Sequence, residues 1–235
     1  MEKPTPNSEQ KKVGAASGLV VPQRRMFLRY AGATALATTL LLTTSCEDDD
    51  DEIMTDPTAV DLGSGDTGIL NYAYALEQLE AAFYTQVVAN SLDLFSASEK
   101  QIFQDIKGHE SVHRDFLKAA LSSAAIPALE VDFSSVNFND KSSILTTAQT
   151  FEDLGVAAYN GAGKLLEDPG LLLLAGKIVS VEARHAAVIR DLVSGGSFAA
   201  TANNQGLDPA MMPADVLAAA GSFIKTKITA NNLPK

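Results

Sequence analysis

The sequence predicts an all-α protein: two antiparallel helical hairpins, joined by a long crossover into a four-helix bundle, with a short helix near the C-terminus. Three observations predict it. From Asp66 onward, apolar residues recur every three or four positions in four stretches of about 25 residues each, the period of an amphipathic helix. The links inside each pair of stretches are short and the link between the pairs is long, which fits two hairpins and one crossover. The first pair also repeats in the second, so the chain reads as two copies of one hairpin.

The N-terminal 45 residues read as an export signal rather than as fold. Lys3, Lys11 and Lys12 precede Gln23-Arg24-Arg25-Met26-Phe27-Leu28-Arg29, and an apolar run ends at Thr43-Thr44-Ser45-Cys46. The paired Arg24 and Arg25 followed by Phe27-Leu28 resemble a twin-arginine signal, with Gln23 where Ser or Thr is usual. Small residues ending in the single cysteine resemble a lipoprotein processing site, with Thr43 where Leu is usual. That resemblance makes Cys46 the lipidated residue and a lipid-anchored protein, periplasmic or on the cell surface, the expected destination. The apolar run is too short and too rich in Thr for a permanent membrane span. Residues 46–65, opening with Glu47-Asp48-Asp49-Asp50-Asp51-Glu52, read as an acidic flexible tether. The acidic run is either a plain spacer or the surface-export tag that follows the lipidated cysteine in some lipoproteins.

The bundle is expected over residues 66–194. Asp66 or Thr67 can cap the first helix, which carries Leu70, Ala73, Leu76, Leu79, Phe83 and Val87 to about Ala89. Ser96 or Ser98 opens the second, with Glu99 in its first turn, and it runs to about Ala124. The third is expected from near Asp140 to near Glu167. The fourth starts at Pro169, a good first-turn residue, and stops before Gly195-Gly196. Residues 195–235 form a loop and a fifth, short helix within Met212–Ile224. The link from Ile126 to about Asn139 can span roughly 45 Å when extended, enough to cross a helix of about 38 Å.

The halves align. Glu77-Gln78-Leu79-Glu80-Ala81-Ala82-Phe83-Tyr84 matches Glu152-Asp153-Leu154-Gly155-Val156-Ala157-Ala158-Tyr159 at Glu, Leu, Ala and Tyr. Ile106, Glu110 and His113 match Ile178, Glu182 and His185 at identical spacing. A Glu and a His three apart share one helix face, so both can reach the same object. Carboxylate with imidazole suits iron, manganese or zinc. Six such side chains in a bundle interior must be neutralised, paired or metal-bound. A metal-free bundle with paired Glu and His is the competing reading.

One Glu from each of two helices with Glu-x-x-His from the other two resembles the ferritin-like di-iron carboxylate proteins. The likeness covers roughly residues 66–194. The C-terminal stretch 213–224 further resembles an exported bacterial ferritin-like domain family related to plant desiccation-associated proteins. The resemblance implies two metal ions, iron or manganese. Glu77 and His113 would be terminal ligands of one, Glu152 and His185 of the other, and Glu110 and Glu182 would bridge. Glu80, whose counterpart is Gly155, is expected beside the ligands or at the bundle edge. His109, about 100° round the helix from Glu110, is expected outside the ligand set, and Arg184 at the surface. Tyr84 and Tyr159, two turns beyond Glu77 and Glu152, can hydrogen-bond a ligand, shuttle an electron or simply fill the core.

With 27 acidic and 12 basic residues after Cys46, no nucleic-acid partner is expected. One cysteine excludes an internal disulfide and any cysteine-built zinc or iron–sulfur site. The resemblance implies an oxidase, peroxidase or catalase-like activity toward O2 or peroxide in metal or oxidative stress, with electrons from an external donor if the protein is a reductase. The other class is a structural or protective surface protein whose metal site is non-catalytic or absent. A homodimer is compatible with either. A closed storage cage fits poorly with a lipid anchor on each chain.

Overall fold

The structure, a computed structural model, describes residues 58–235. The export signal with Arg24 and Arg25, the lipidation site Cys46 and the acidic run lie outside the described residues. No helix among the described residues is long and apolar enough to cross a membrane.

Four long helices make the bundle: α1 Gly65–Asn90, α2 Ala97–Leu121, α3 Lys141–Gly163 and α4 Pro169–Val193. A fifth, α5, covers Pro213–Ala220. Hydrogen bonds explain the boundaries. The Ser96 hydroxyl accepts from the Glu99 amide while the Glu99 carboxylate accepts from the Ser96 amide, a closed capping box at the start of α2. Asp140 and Asp168 cap α3 and α4 by accepting from the amides of Ser142 and Gly170. Helix α1 starts at Gly65, and Asp66 does not cap it. Its carboxylate instead accepts from the amides of Glu167 and Asp168, fastening the α3–α4 link to the start of α1. Helix α3 stops at Gly163, short of the expected Glu167; the chain tightens there into turns, Leu165 and Leu166 donating to the carbonyls of Ala162 and Gly163, before it reaches Asp66.

Helices α1 and α2 form one hairpin and α3 and α4 the other, with α1 packed on α3 across the interface. The crossover follows α1 along its length. Asn71 near the start of α1 donates to the carbonyls of Leu62 and Ala124 and accepts from the Ile126 amide. Gln78, two turns on, accepts from the Leu129 amide, and Ser91 just past the helix donates to Phe138. At that end Phe83, Phe133, Phe138 and Phe151 pack together, with Phe83 and Phe151 edge to face at 5.1 Å.

The chain on either side of the bundle is ordered by pairing. Residues 58–65, expected to belong to the flexible tether, carry strand β1, Val60–Asp61, parallel to β2, Ile228–Thr229. Leu62 beside it is fully buried. The segment before β2 pairs with the crossover, Lys225 donating to Glu130 and Asp132 to Phe223. Upstream of α5, Met211 crosses α3 at Gly161. A Cβ there would lie 1.7 Å from the Met211 carbonyl oxygen, so only glycine permits the approach.

Candidate metal centre

The buried positions of α2 are Phe103, Ile106, Glu110, His113, Leu117, Ala120 and Leu121. Those of α4 are Ile178, Glu182, His185, Ala186 and Ile189. Each Glu-x-x-His thus occupies the core stripe, at the three- and four-residue steps that the apolar neighbours keep. Glu77 on α1 and Glu152 on α3 face the same point from the other side. Glu77, Glu110, Glu152 and Glu182 are 0% exposed, and His113 and His185 are nearly so.

The six side chains meet in two groups. Atoms of Glu77, Glu110, His113 and Glu182 lie within 4.8 Å of one another, as do atoms of Glu110, Glu152, Glu182 and His185. Glu110 and Glu182 belong to both. His113 Nδ1 is 2.8 Å from Glu182 Oε1 and 3.5 Å from both Glu77 Oε2 and Glu110 Oε2. His185 Nδ1 is 2.8 Å from Glu110 Oε1, 3.6 Å from Glu152 Oε2 and 3.7 Å from Glu182 Oε2.

None of these short contacts has hydrogen-bond geometry. Nine buried side-chain polar atoms among the described residues lack a hydrogen-bond partner, and eight belong to these six residues. Buried polar groups are ordinarily satisfied, so eight orphans at one place need a common partner. A cation at the centre of each group would supply it, because ligand lone pairs point at an ion rather than at each other. The donor set of four carboxylates and two imidazoles fits iron or manganese.

The tyrosines divide the work of the terminal carboxylates. Tyr159 donates to Glu77 Oε1 and Tyr84 to Glu152 Oε1, each at 2.5 Å. In both cases the other oxygen, Oε2, is the one left unpartnered in the cluster. The bonds cross between halves, each tyrosine serving the glutamate of the opposite hairpin. Both tyrosines are also part of the buried core, so the geometry displays two of the three roles open to them, filling the core and hydrogen-bonding a glutamate of the cluster.

The electrostatics describe a cluster that carries protons where cations would sit. Burial alone would lower His113 and His185. Close contact with Glu110, Glu182 and Glu77 around His113, and with Glu110, Glu152 and Glu182 around His185, outweighs it and pushes each up to about 12. Burial opposes the charge on Glu110, but the two imidazoles hold it down at about 2. Burial and the charge of Glu182 push Glu77 well above the carboxylate range, and burial pushes Glu152 up to about 8 despite His185.

Glu80 is not at the bundle edge. It is 4% exposed, and its Oε1 is 3.0 Å from where a Cβ on Gly155 would stand. It lies outside both four-residue groups. Burial and the neighbouring charges of Glu110 and Glu182 push it well above the carboxylate range. The signal was in the alignment: a glycine opposite a glutamate marks room for the longer side chain. His109 is also outside both groups, but it touches one of them. Its Nδ1 is 2.8 Å from His185 Nε2. Arg184 is exposed.

A family model described as a ferritin-like domain matches residues 65–195. No curated protein gives a significant match to the chain.

Proposed function

The chain belongs to the ferritin-like domain family, and from that premise we propose that it holds a dinuclear iron or manganese centre which reacts with O2 or peroxide. The observation that carries the reading is the set of eight orphaned atoms on six buried ligands. In this reading Glu77 and His113 serve one ion, Glu152 and His185 the other, and Glu110 and Glu182 bridge. Bound, the ions would supply redox and Lewis-acid chemistry to a molecule with two adjacent oxygens. Tyr159 and Tyr84 each hold one oxygen of a terminal glutamate and so orient the other. Ala73, Leu117 and Ile178, one turn from Glu77, His113 and Glu182, join Tyr159 in lining an apolar cavity of about 30 Å³. Its apolar walls offer H2O2 no hydrogen-bond partner and so suit O2 better.

The test is metal content of protein purified through its own export route, followed by consumption of O2 and peroxide. Two iron or manganese ions per chain with turnover of either oxidant is the expected result. A folded protein that takes up neither metal overturns the proposal. Full burial of the four glutamates favours one competing reading, a closed structural metal site. It predicts the same two ions and no turnover.

The proposal includes export in folded form by the twin-arginine signal and membrane attachment through Cys46. That route would let the bundle close around the metal supplied in the cytoplasm, where availability rather than affinity selects the ion. Arg24→Lys with Arg25→Lys should trap a metal-loaded precursor in the cytoplasm, and Cys46→Ala should release the domain from membranes. Normal export of the first variant, or unchanged attachment of the second, removes the corresponding part.

A further inference from the structure

The internal repeat pairs His109 with Val181, each one residue before the glutamate of its Glu-x-x-His. The two halves therefore differ at a position that the six-ligand scheme does not use. His109 comes from α2 and reaches His185 on α4, with Nδ1 2.8 Å from His185 Nε2. The ring planes are parallel to within 10° and the centroids are 5.1 Å apart. Two nitrogens at 2.8 Å are closer than stacked ring faces can approach, so the contact is edge to edge, with the hydrogen bond lying near both ring planes. The opposite nitrogen of the same ring, His185 Nδ1, is the one inside the cluster.

A neutral imidazole has one N–H and one lone pair. To ligate through Nδ1, His185 must keep its proton on Nε2. An acceptor at Nε2 stabilises that tautomer and fixes the direction of the ring. His109 Nδ1 is such an acceptor, and its own proton then sits on Nε2. His109 is an exposed residue, and the arrangement asks of it only a lone pair directed at His185. At the equivalent place in the other half, Val181 has no polar side-chain atom to offer His113.

We infer that His109 is a positioning residue for the metal centre, holding His185 in the tautomer that presents Nδ1 to the cluster, and that it does so for one of the two metal positions only. The inference rests on the metal-binding reading above. It makes the two positions unequal: at the one served by Glu152 and His185 a side-chain partner fixes the direction of the histidine ring before the ion arrives, and at the one served by Glu77 and His113 the equivalent Val181 offers none. Removing the outer partner of a metal-bound histidine typically costs about 10- to 100-fold in metal affinity.

The experiment uses the full mature chain, stripped of metal and titrated with Zn(II) as a diamagnetic probe at one fixed pH. Calorimetry gives the two affinities, and nitrogen-15 NMR of the histidine side chains shows which ring nitrogen of His185 carries the proton. In the wild type, Nε2 should carry it and Nδ1 should be bound. His109→Ala should weaken one position about 10- to 100-fold and leave the other within about twofold. His109→Gln, which keeps an acceptor oxygen, should recover part of that loss. A role in folding alone would lower both affinities or neither, and would not move the NMR signature. Equal loss at both positions, no loss at either, or zinc bound through His185 Nε2 overturns the inference. If the wild type takes up neither zinc nor iron nor manganese, the metal reading fails and this inference falls with it, a result distinct from all the others.

Discussion

Glu110 and Glu182 belong to both four-residue groups, so their loss has a different consequence from that of the other four side chains. Glu110→Ala or Glu182→Ala should empty both metal positions, while Glu77→Gln or Glu152→Gln should weaken mainly one. Metal content of purified variants checks this, and full occupancy in both alanine variants would end the bridging assignment. Glu77 and Glu80 make a sharper pair. Both are buried on α1, yet only Glu77 stands in a group, with Tyr159 holding its second oxygen. Glu77→Gln should lose metal and Glu80→Gln should keep it; the reverse result would mean that the repeat is aligned one turn off. The six convergent side chains were legible in the sequence because both copies of the repeat carry them at the same spacing. Glu80 stands beside the ligands and His109 outside both groups, as expected, but the contacts each makes there were not legible, for the opposite reason. Each lies where the copies differ, facing Gly155 and Val181 in the alignment. A repeat predicts what the halves share and is silent on what one half does with the room the other leaves.

Helix α1 is buried on every side from Asn71 to Ala81, and its polar residues explain how. Asn71 makes three hydrogen bonds to the chain before α1, the end of the first hairpin and the start of the crossover. Asn71→Ala would orphan two buried carbonyls and an amide, which should cost about 1–3 kcal/mol for each group that water cannot reach. A urea midpoint lowered for Asn71→Ala, but unchanged for an exposed asparagine such as Asn204→Ala, is the expected outcome. Equal midpoints would mean that the crossover is not held there. The four long helices were legible because their periodicity runs over six or seven turns and their caps are standard ones, Ser96 with Glu99, Asp140, and Asp168 before Pro169. The strands were not. A two-residue ladder is too short to show the alternation that marks a strand, and β1 finds its partner 168 residues away. The end of α3 was overrun because helix-forming residues continue through Leu166, while the link beyond it is fastened to Asp66, about 100 residues earlier in the chain.

For the whole molecule, the cluster links stability, protons and metal. In the metal-free fold His113 and His185 are held up at about 12, Glu152 at about 8, and Glu77 and Glu80 well above the carboxylate range. In the unfolded chain the carboxyls lose their protons near pH 4.5 and the imidazoles near pH 6.5. Between about pH 4.5 and 9 the folded state therefore binds more protons than the unfolded state, and stability must fall as pH rises. The histidines' contribution is fully present below their unfolded value and is lost as pH climbs toward their folded one. The three raised carboxyls act in the same direction, since each pays an increasing penalty once its unfolded counterpart can ionise. Glu110, held at about 2 by the imidazoles, has the opposite sign, and so does Glu99, held at about 2 by its contact with Lys141 and its capping bonds to Ser96. Their contributions are present above about pH 4.5 and vanish in strong acid, so the metal-free protein should be most stable in mildly acidic solution. Bound metal replaces the protons. It should abolish the decline toward alkaline pH, because ions compete with protons for the same lone pairs and bind better as pH rises. Unfolding midpoints from pH 5 to 9, with chelator and with two equivalents of Mn(II), test both halves of the argument. A metal-free midpoint that rises over this range would mean that the buried cluster does not take up protons on folding.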